Sequence, residues 1–286
     1  MDMIVSLVVV ILATLIATYT DLKKREVPDF ISYFLIIFGI MSNLLISILT
    51  HSYTPIIYSI VGASVFYIFG AILYYTGMWG GGDAKLLTGF GAIFATFNAL
   101  VLWPFMISIW FNIMFWGVII GLIWSTILAI KHKKEFIPET RKLLKKYRKI
   151  ILMLYILFIF VIVSILFEKS YIITISWGFS VILFYLTIGL KAIENTCMYR
   201  FAKPKDLVEG DWISENVNVK NKLIYKPKPI GVELSDIKKM QSLEQLGKLK
   251  LVKIKDGLPY VPAFLLGLIT TLLNIDILYL IFSRLI

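Results

Sequence analysis

The 286-residue chain is 59% apolar and only 16% charged, with a mean hydropathy of +0.84; a soluble domain carries about one quarter charged residues. A soluble fold is not expected, because several apolar stretches reach the roughly 20 residues a helix needs to cross the hydrocarbon core with every amide bonded inside its own segment. The formal charge of +11 reads as membrane orientation; no nucleic-acid motif accompanies it and no nucleic-acid partner is expected.

In chain order, helices are expected over Met3–Thr20, Phe30–Thr50, Thr54–Thr76, Ala84–Ala99, Val101–Ile130, Ile150–Phe167, Tyr171–Lys191 and Val261–Leu285. The first is read as a permanent helix, since Asp2 stands where a secretory signal carries positive charge. The fourth and fifth are divided near Leu102 and Pro104, because the run from Asp83 to Ile130 is too long for one crossing. The fold class is then an all-α polytopic membrane protein of about eight transmembrane helices with a small cytoplasmic α+β appendage. Its expected parts are a transmembrane core over 1–130, a basic cytoplasmic loop over 131–149, an extra transmembrane hairpin over 150–191, a cytoplasmic subdomain over 192–258 and a C-terminal helix over 259–286.

Lys and Arg in short loops concentrate on the cytoplasmic side. With eight crossings and the N-terminus outside, Asp21–Asp29, Met78–Lys85, Lys131–Lys149 and Lys191–Leu258 are cytoplasmic. They hold 27 of the 29 basic residues, all but Lys169 and Arg284. Losing one helix at the Pro104 break would destroy that asymmetry. Lys131–Lys149 carries nine Lys or Arg against Glu135 and Glu139, a topology signal that also meets anionic lipid headgroups. In the last long loop, Val217–Val219 and Leu251–Lys255 alternate like short strands, and Ser235–Leu246 is expected as a helix capped by Ser235. The single cysteine, Cys197, excludes an intramolecular disulfide and a paired-cysteine zinc site; no metal and no cofactor are expected.

Acidic residues at the edge of membrane helices are costly and become functional candidates. Asp21 follows the first apolar run, Asp83 precedes the fourth, and Asp276 lies late in the last. On the expected topology Asp21 and Asp83 share the cytoplasmic boundary, and Asp276 lies toward the other face. Two carboxylates at one depth can hold a single proton between them, one taking a proton from water while the other polarises a peptide carbonyl. Alternatively both mark helix ends, where Asp83 favours a helix N-terminus. Gly80-Gly81-Gly82 before Asp83 allows positive φ and close approach of another segment.

Gly80-Gly81-Gly82-Asp83, followed by Lys85-Leu86-Leu87, Gly89 and Gly91, resembles the Gly-x-Gly-Asp signature of the type IV prepilin and archaeal preflagellin peptidases. Asp21-Leu22-Lys23-Lys24-Arg25-Glu26-Val27-Pro28-Asp29 resembles their first catalytic segment, so the likeness covers about the first 130 residues. The resemblance implies that Asp21 and Asp83 are the catalytic aspartates and that Gly80 and Gly82 shape the active-site turn. Lys85 matches a basic position of the motif, where it holds a carboxylate ionised or snorkels to headgroups; Arg25 is a topology charge or orients substrate or Asp21. Methylating members carry two pairs of cysteines that this chain lacks, so the archaeal branch and leader removal without N-methylation are implied.

The implied substrate is a pilin- or archaellin-like precursor with a short basic leader, for which Glu209, Asp211 and Glu215 offer local attraction on an otherwise basic surface. Two alternatives remain. A presenilin-like protease shares Gly-x-Gly-Asp and finds a loose echo in Pro262-Ala263-Phe264; a cation-coupled transporter would use the same aspartates as an ion site.

Overall fold

A computed structural model describes residues 3–97, 105–168, 171–220, 222–228, 230–273, 275, 277 and 280. The expected break at Leu102 and Pro104, together with Asp2, Lys169, Asp276 and Arg284, lies outside the described residues. The helices are α1 (Met3–Lys24), α2 (Asp29–Leu49), α3 (Thr54–Tyr75), α4 (Gly81–Phe94), α5 (Phe105–Lys131), α6 (Lys133–Lys146), α7 (Arg148–Glu168), α8 (Tyr171–Cys197), α9 (Leu234–Gln245) and α10 (Val261–Leu272). Five strands, β1 (Tyr199–Ala202), β2 (Trp212–Ile213), β3 (Val217–Val219), β4 (Lys222–Tyr225) and β5 (Val252–Lys255), lie between α8 and α10. The chain divides into two units, residues 1–122 with 201–286, and residues 123–200.

This is a helical membrane protein, but the expectation of eight crossings is not met. Among the described residues five helices, α1, α2, α3, α5 and α8, are long and apolar enough to span. The expected helix over 84–99 is α4, whose 14 residues reach only about 21 Å against roughly 30 Å of hydrocarbon. A helix that short is stable in lipid only if protein surrounds it, and Leu86 to Phe94 are all buried. The expected continuous helix over 261–285 is also shorter: α10 stops at Leu272.

Small residues set how α4 is enclosed, as is general where packing rather than the hydrophobic effect joins helices in lipid. A Cβ on Gly39 of α2 would stand 2.8 Å from Ala92, one on Gly70 of α3 3.0 Å from Ala84, and one on Gly91 2.8 Å from the Gly62 carbonyl carbon. The Ala92 carbonyl, near the C-terminal end of α4 where helix carbonyls lack partners, accepts from Asn43 Nδ2 at 3.2 Å and Ser59 Oγ at 2.6 Å.

The end of α10 is fastened by α5. The buried Asn112 amide donates to Thr271 Oγ1 at 2.8 Å and to the Ile275 carbonyl at 2.9 Å, and its oxygen accepts the Ile277 N–H at 3.2 Å. Asn112→Leu, close in size, strands these groups at about 1–3 kcal/mol each, so its unfolding transition in detergent is expected several degrees below that of the wild type.

The strand-bearing subdomain has its own core of Leu207, Ile213, Val217, Tyr225, Val232, Ile237, Met240, Val252 and Ile254. A three-stranded sheet runs in the order β1-β5-β2, and β3 and β4 form a second, antiparallel pair. The helix expected over 235–246 is α9, shifted by one residue; its N-cap is Glu233, and no side-chain cap from Ser235 forms. In the second unit the expected basic loop is largely helical: α6 packs Leu143 against Ile188 and Ala192 of α8. The hairpin of α7 and α8 is closed by Phe158 stacked on Trp177 at 4.6 Å and by Trp177 Nε1 donating to the Leu154 carbonyl.

Candidate active site

Neither aspartate lies quite where the apolar runs suggest. The α1 helix continues past its apolar run to Lys24, so Asp21 occupies its last turn, and Asp83 is the third residue of α4. Asp21 is buried, 6% exposed, and its Oδ2 accepts the Val261 N–H at 2.9 Å. It thereby satisfies one of the orphan donors at the N-terminus of α10, with the helix dipole favouring a negative partner there. Asp83 Oδ2 accepts the Gly80 N–H at 3.1 Å, the reciprocal half of a capping box whose N-cap is Gly80. The two carboxyl groups, 62 residues apart in sequence, are near enough to interact through their charges.

The glycines work by absence of Cβ and not by positive φ. Gly80 is extended at φ −74°, and the left-handed glycine of this junction is Gly77 at φ 71°. At Gly82 a Cβ would sit 2.8 Å from Val27 Cβ, so the segment joining α1 and α2 lies directly on the first turn of α4. Gly81 faces Tyr74 at an ordinary 3.5 Å, and a Cβ on Gly80 would lie 3.4 Å from Asp83 Oδ2.

The two basic candidates part company. Lys85 pairs with Asp29 at 2.7 Å and lies over the Tyr33 ring at 5.2 Å, tying the start of α4 to the start of α2 rather than reaching either aspartate of the pair. Arg25, in the left-handed region at φ 62° and with its N–H on the Asp21 carbonyl at 2.9 Å, closes α1. Partial burial draws its guanidinium below the usual arginine range, opposed by the charges of Asp21 and Asp256; it stays a cation.

Of the three acidic candidates in the long loop, two come to this region. Glu209 is close enough to Tyr74 to act on it electrostatically, and Asp211 likewise acts on Glu26. Glu26 is pushed above the ordinary glutamate range by partial burial and then by Asp211, with Lys24 opposing. Asp211 Oδ2 also accepts the Val208 N–H at 2.9 Å. Glu215 lies instead in the β2–β5 region, paired with Lys253 at 2.5 Å. Pro262-Ala263-Phe264 opens α10 directly after the amide that holds Asp21. Glu26 and Tyr260 escape the sequence reading: Glu26 sits among basic residues, and nothing local links Tyr260 to Asp83, 177 residues earlier, or to Asp21, 239 residues earlier. Among the described residues no group of three His, Cys, Asp or Glu is arranged to hold a metal ion.

Asp21, buried, and Asp83, half-buried, come from separate helix ends at a glycine-lined junction of apolar helices in a helical membrane protein. Residues 8–128, which hold both aspartates, match the type IV leader peptidase family. It is 32% identical over 150 residues to a preflagellin peptidase of Methanocaldococcus jannaschii, covering 48% of this chain and 62% of the relative. It is 37% identical over 87 residues to a preflagellin peptidase of Methanococcus maripaludis (30% of this chain, 37% of the relative) and 30% identical over 152 residues to one of Methanococcus voltae (50% and 63%). The chain thus spans less than two thirds of the length of these relatives. No solved structure matches it.

Proposed function

We propose that the chain is an aspartic endopeptidase that removes the short basic leader of archaellin- or pilin-like precursors without N-methylation. The observation that carries this reading is the meeting of Asp21 and Asp83 within the family-matched segment. In the cycle one carboxylate takes a proton from water as it attacks the scissile carbonyl while the other, protonated, donates to the carbonyl oxygen; on collapse the proton taken from water goes to the leaving nitrogen and the tetrahedral hydroxyl returns a proton to the second carboxylate. Partial burial among α1, α4 and α10 strengthens each of these interactions. The basic residues flanking the two aspartates, Lys23, Lys24, Arg25 and Lys85, support an active site at the cytoplasmic face of the plasma membrane. The test is leader shortening: the chain in liposomes with a purified basic-leader precursor is expected to yield a product beginning at the leader–helix junction by mass spectrometry, and an intact precursor would overturn the reading.

Glu26, Glu209 and Asp211 form the leader-facing rim in this proposal; Glu215, already neutralised by Lys253, is left out of it. A triple Glu26→Gln, Glu209→Gln, Asp211→Asn variant is expected to raise KM for a basic-leader precursor by about 10-fold with kcat little changed, and the difference to shrink at high salt. Because Glu26 protonates at higher pH than an ordinary glutamate, lowering the pH from neutral into the mildly acidic range removes rim charge early. KM for a basic leader should therefore rise over that range, and less steeply in Glu26→Gln.

One observation favours a second reading. Pro262-Ala263-Phe264 stands beside Asp21, where a presenilin-like protease would use its related element on a substrate helix. The same mass spectrum separates the two, since that reading places the cut inside the hydrophobic segment.

A further inference from the structure

Tyr260 lies near both aspartates. Its neighbour Val261 supplies the amide that holds Asp21, and its phenol lies within range of the Asp83 charge. The ring is fixed from three directions. Trp79 packs on it at 4.9 Å between centroids and Phe264 at 6.1 Å, while on α5 a Cβ at Gly117 would overlap the phenol oxygen and ring carbons. A ring so enclosed keeps one rotamer and delivers its oxygen to one place.

The hydrogen bonding of that oxygen is unbalanced. The Trp79 indole N–H is directed to it, and its own proton goes to the Met114 sulfur at 3.8 Å. A thioether is a weak acceptor, and a phenol proton gains by moving to a carboxylate, whose charge makes the bond shorter and about twice as strong.

Resting on the peptidase reading above, we propose that Tyr260 is a positioning residue of the aspartate pair: with its oxygen held in place, its hydroxyl proton swings from the Met114 sulfur toward the Asp83 side and orients that carboxyl against the scissile bond. The residue is invisible to the family-matched segment, which ends at position 128.

Tyr260→Phe keeps the ring against Trp79, Phe264 and Gly117 and removes only the hydroxyl. In the full chain, reconstituted with a basic-leader precursor, kcat is expected to fall about 10- to 100-fold with KM unchanged, and the pH–rate profile to be displaced from that of the wild type. A purely structural role for the ring would move none of these, so wild-type kcat and pH profile in Tyr260→Phe, measured where Asp83→Asn abolishes cleavage, would overturn this proposal alone. A wild-type chain that cuts no such precursor would overturn the peptidase reading and this proposal with it.

Discussion

Asp21→Asn and Asp83→Asn are each expected to lower leader removal roughly a thousand-fold or more, since each deletes one half of the acid–base exchange. The double variant should be no worse than either single one, because two groups that act on one proton fail as a unit. Both proteins should still fold. Asparagine retains an oxygen for the Val261 N–H in one case and for the Gly80 N–H in the other, so each helix cap survives with only its charge lost, at about 0.3–1 kcal/mol. Alanine separates the two sites. Asp21→Ala leaves a buried amide of α10 without its acceptor, at about 1–3 kcal/mol, whereas Asp83→Ala frees an exposed amide that water can satisfy. Activity on a precursor gel together with melting in detergent should show four inactive single variants, of which Asp21→Ala alone is clearly less stable. Residual cleavage by either asparagine variant near the wild-type rate would exclude an aspartate-pair mechanism.

The aspartates were legible in the sequence because the cost of burying a carboxylate in lipid is local: one residue beside an apolar run reveals it. The helices were legible for the same reason, and α1, α2, α3, α5 and α8 follow the expected runs closely. What length and composition could not disclose is enclosure. The 14 residues of α4 read as a span because their side chains are apolar, yet Gly39, Gly62 and Gly70 of α2 and α3, with Gly91 of α4 itself, let protein close around them. Ion-pair partners were equally hidden. Lys85 is two residues from Asp83 but points to Asp29, while Arg25 is set near Asp21 by the left-handed turn that ends α1. Tyr260 and Val261 reach the pair only through the tertiary fold, 239 residues after Asp21 in the case of Tyr260. No pattern within one window carries that information.

Gly82→Ala is expected to cost about 100-fold in kcat while the protein remains folded, and the reason is the distance between two carbons. The new methyl would stand 2.8 Å from Val27 Cβ and 3.4 Å from the Val27 carbonyl oxygen, where apolar carbons settle at about 3.5–4.0 Å. Relief requires the segment between Asp21 and α2 to back away from α4 by about 1 Å, and a misplacement of that size at a reacting centre costs about 10²-fold. Helix propensity acts in the opposite direction, since alanine within the first turn of α4 is preferred over glycine by up to about 1 kcal/mol; a loss of activity without a loss of stability is therefore the signature. Gly81→Ala provides the control, because its methyl would meet only Tyr74 at an ordinary 3.5 Å, and it should stay active. The second-site variant decides the mechanism. Val27→Ala keeps the Cβ that makes the contact and should restore little, whereas Val27→Gly removes it and should bring Gly82→Ala back toward the activity of Val27→Gly alone. Equal rescue by both would mean that the bulk of the valine side chain, and not the approach of its backbone to α4, separates the two aspartates.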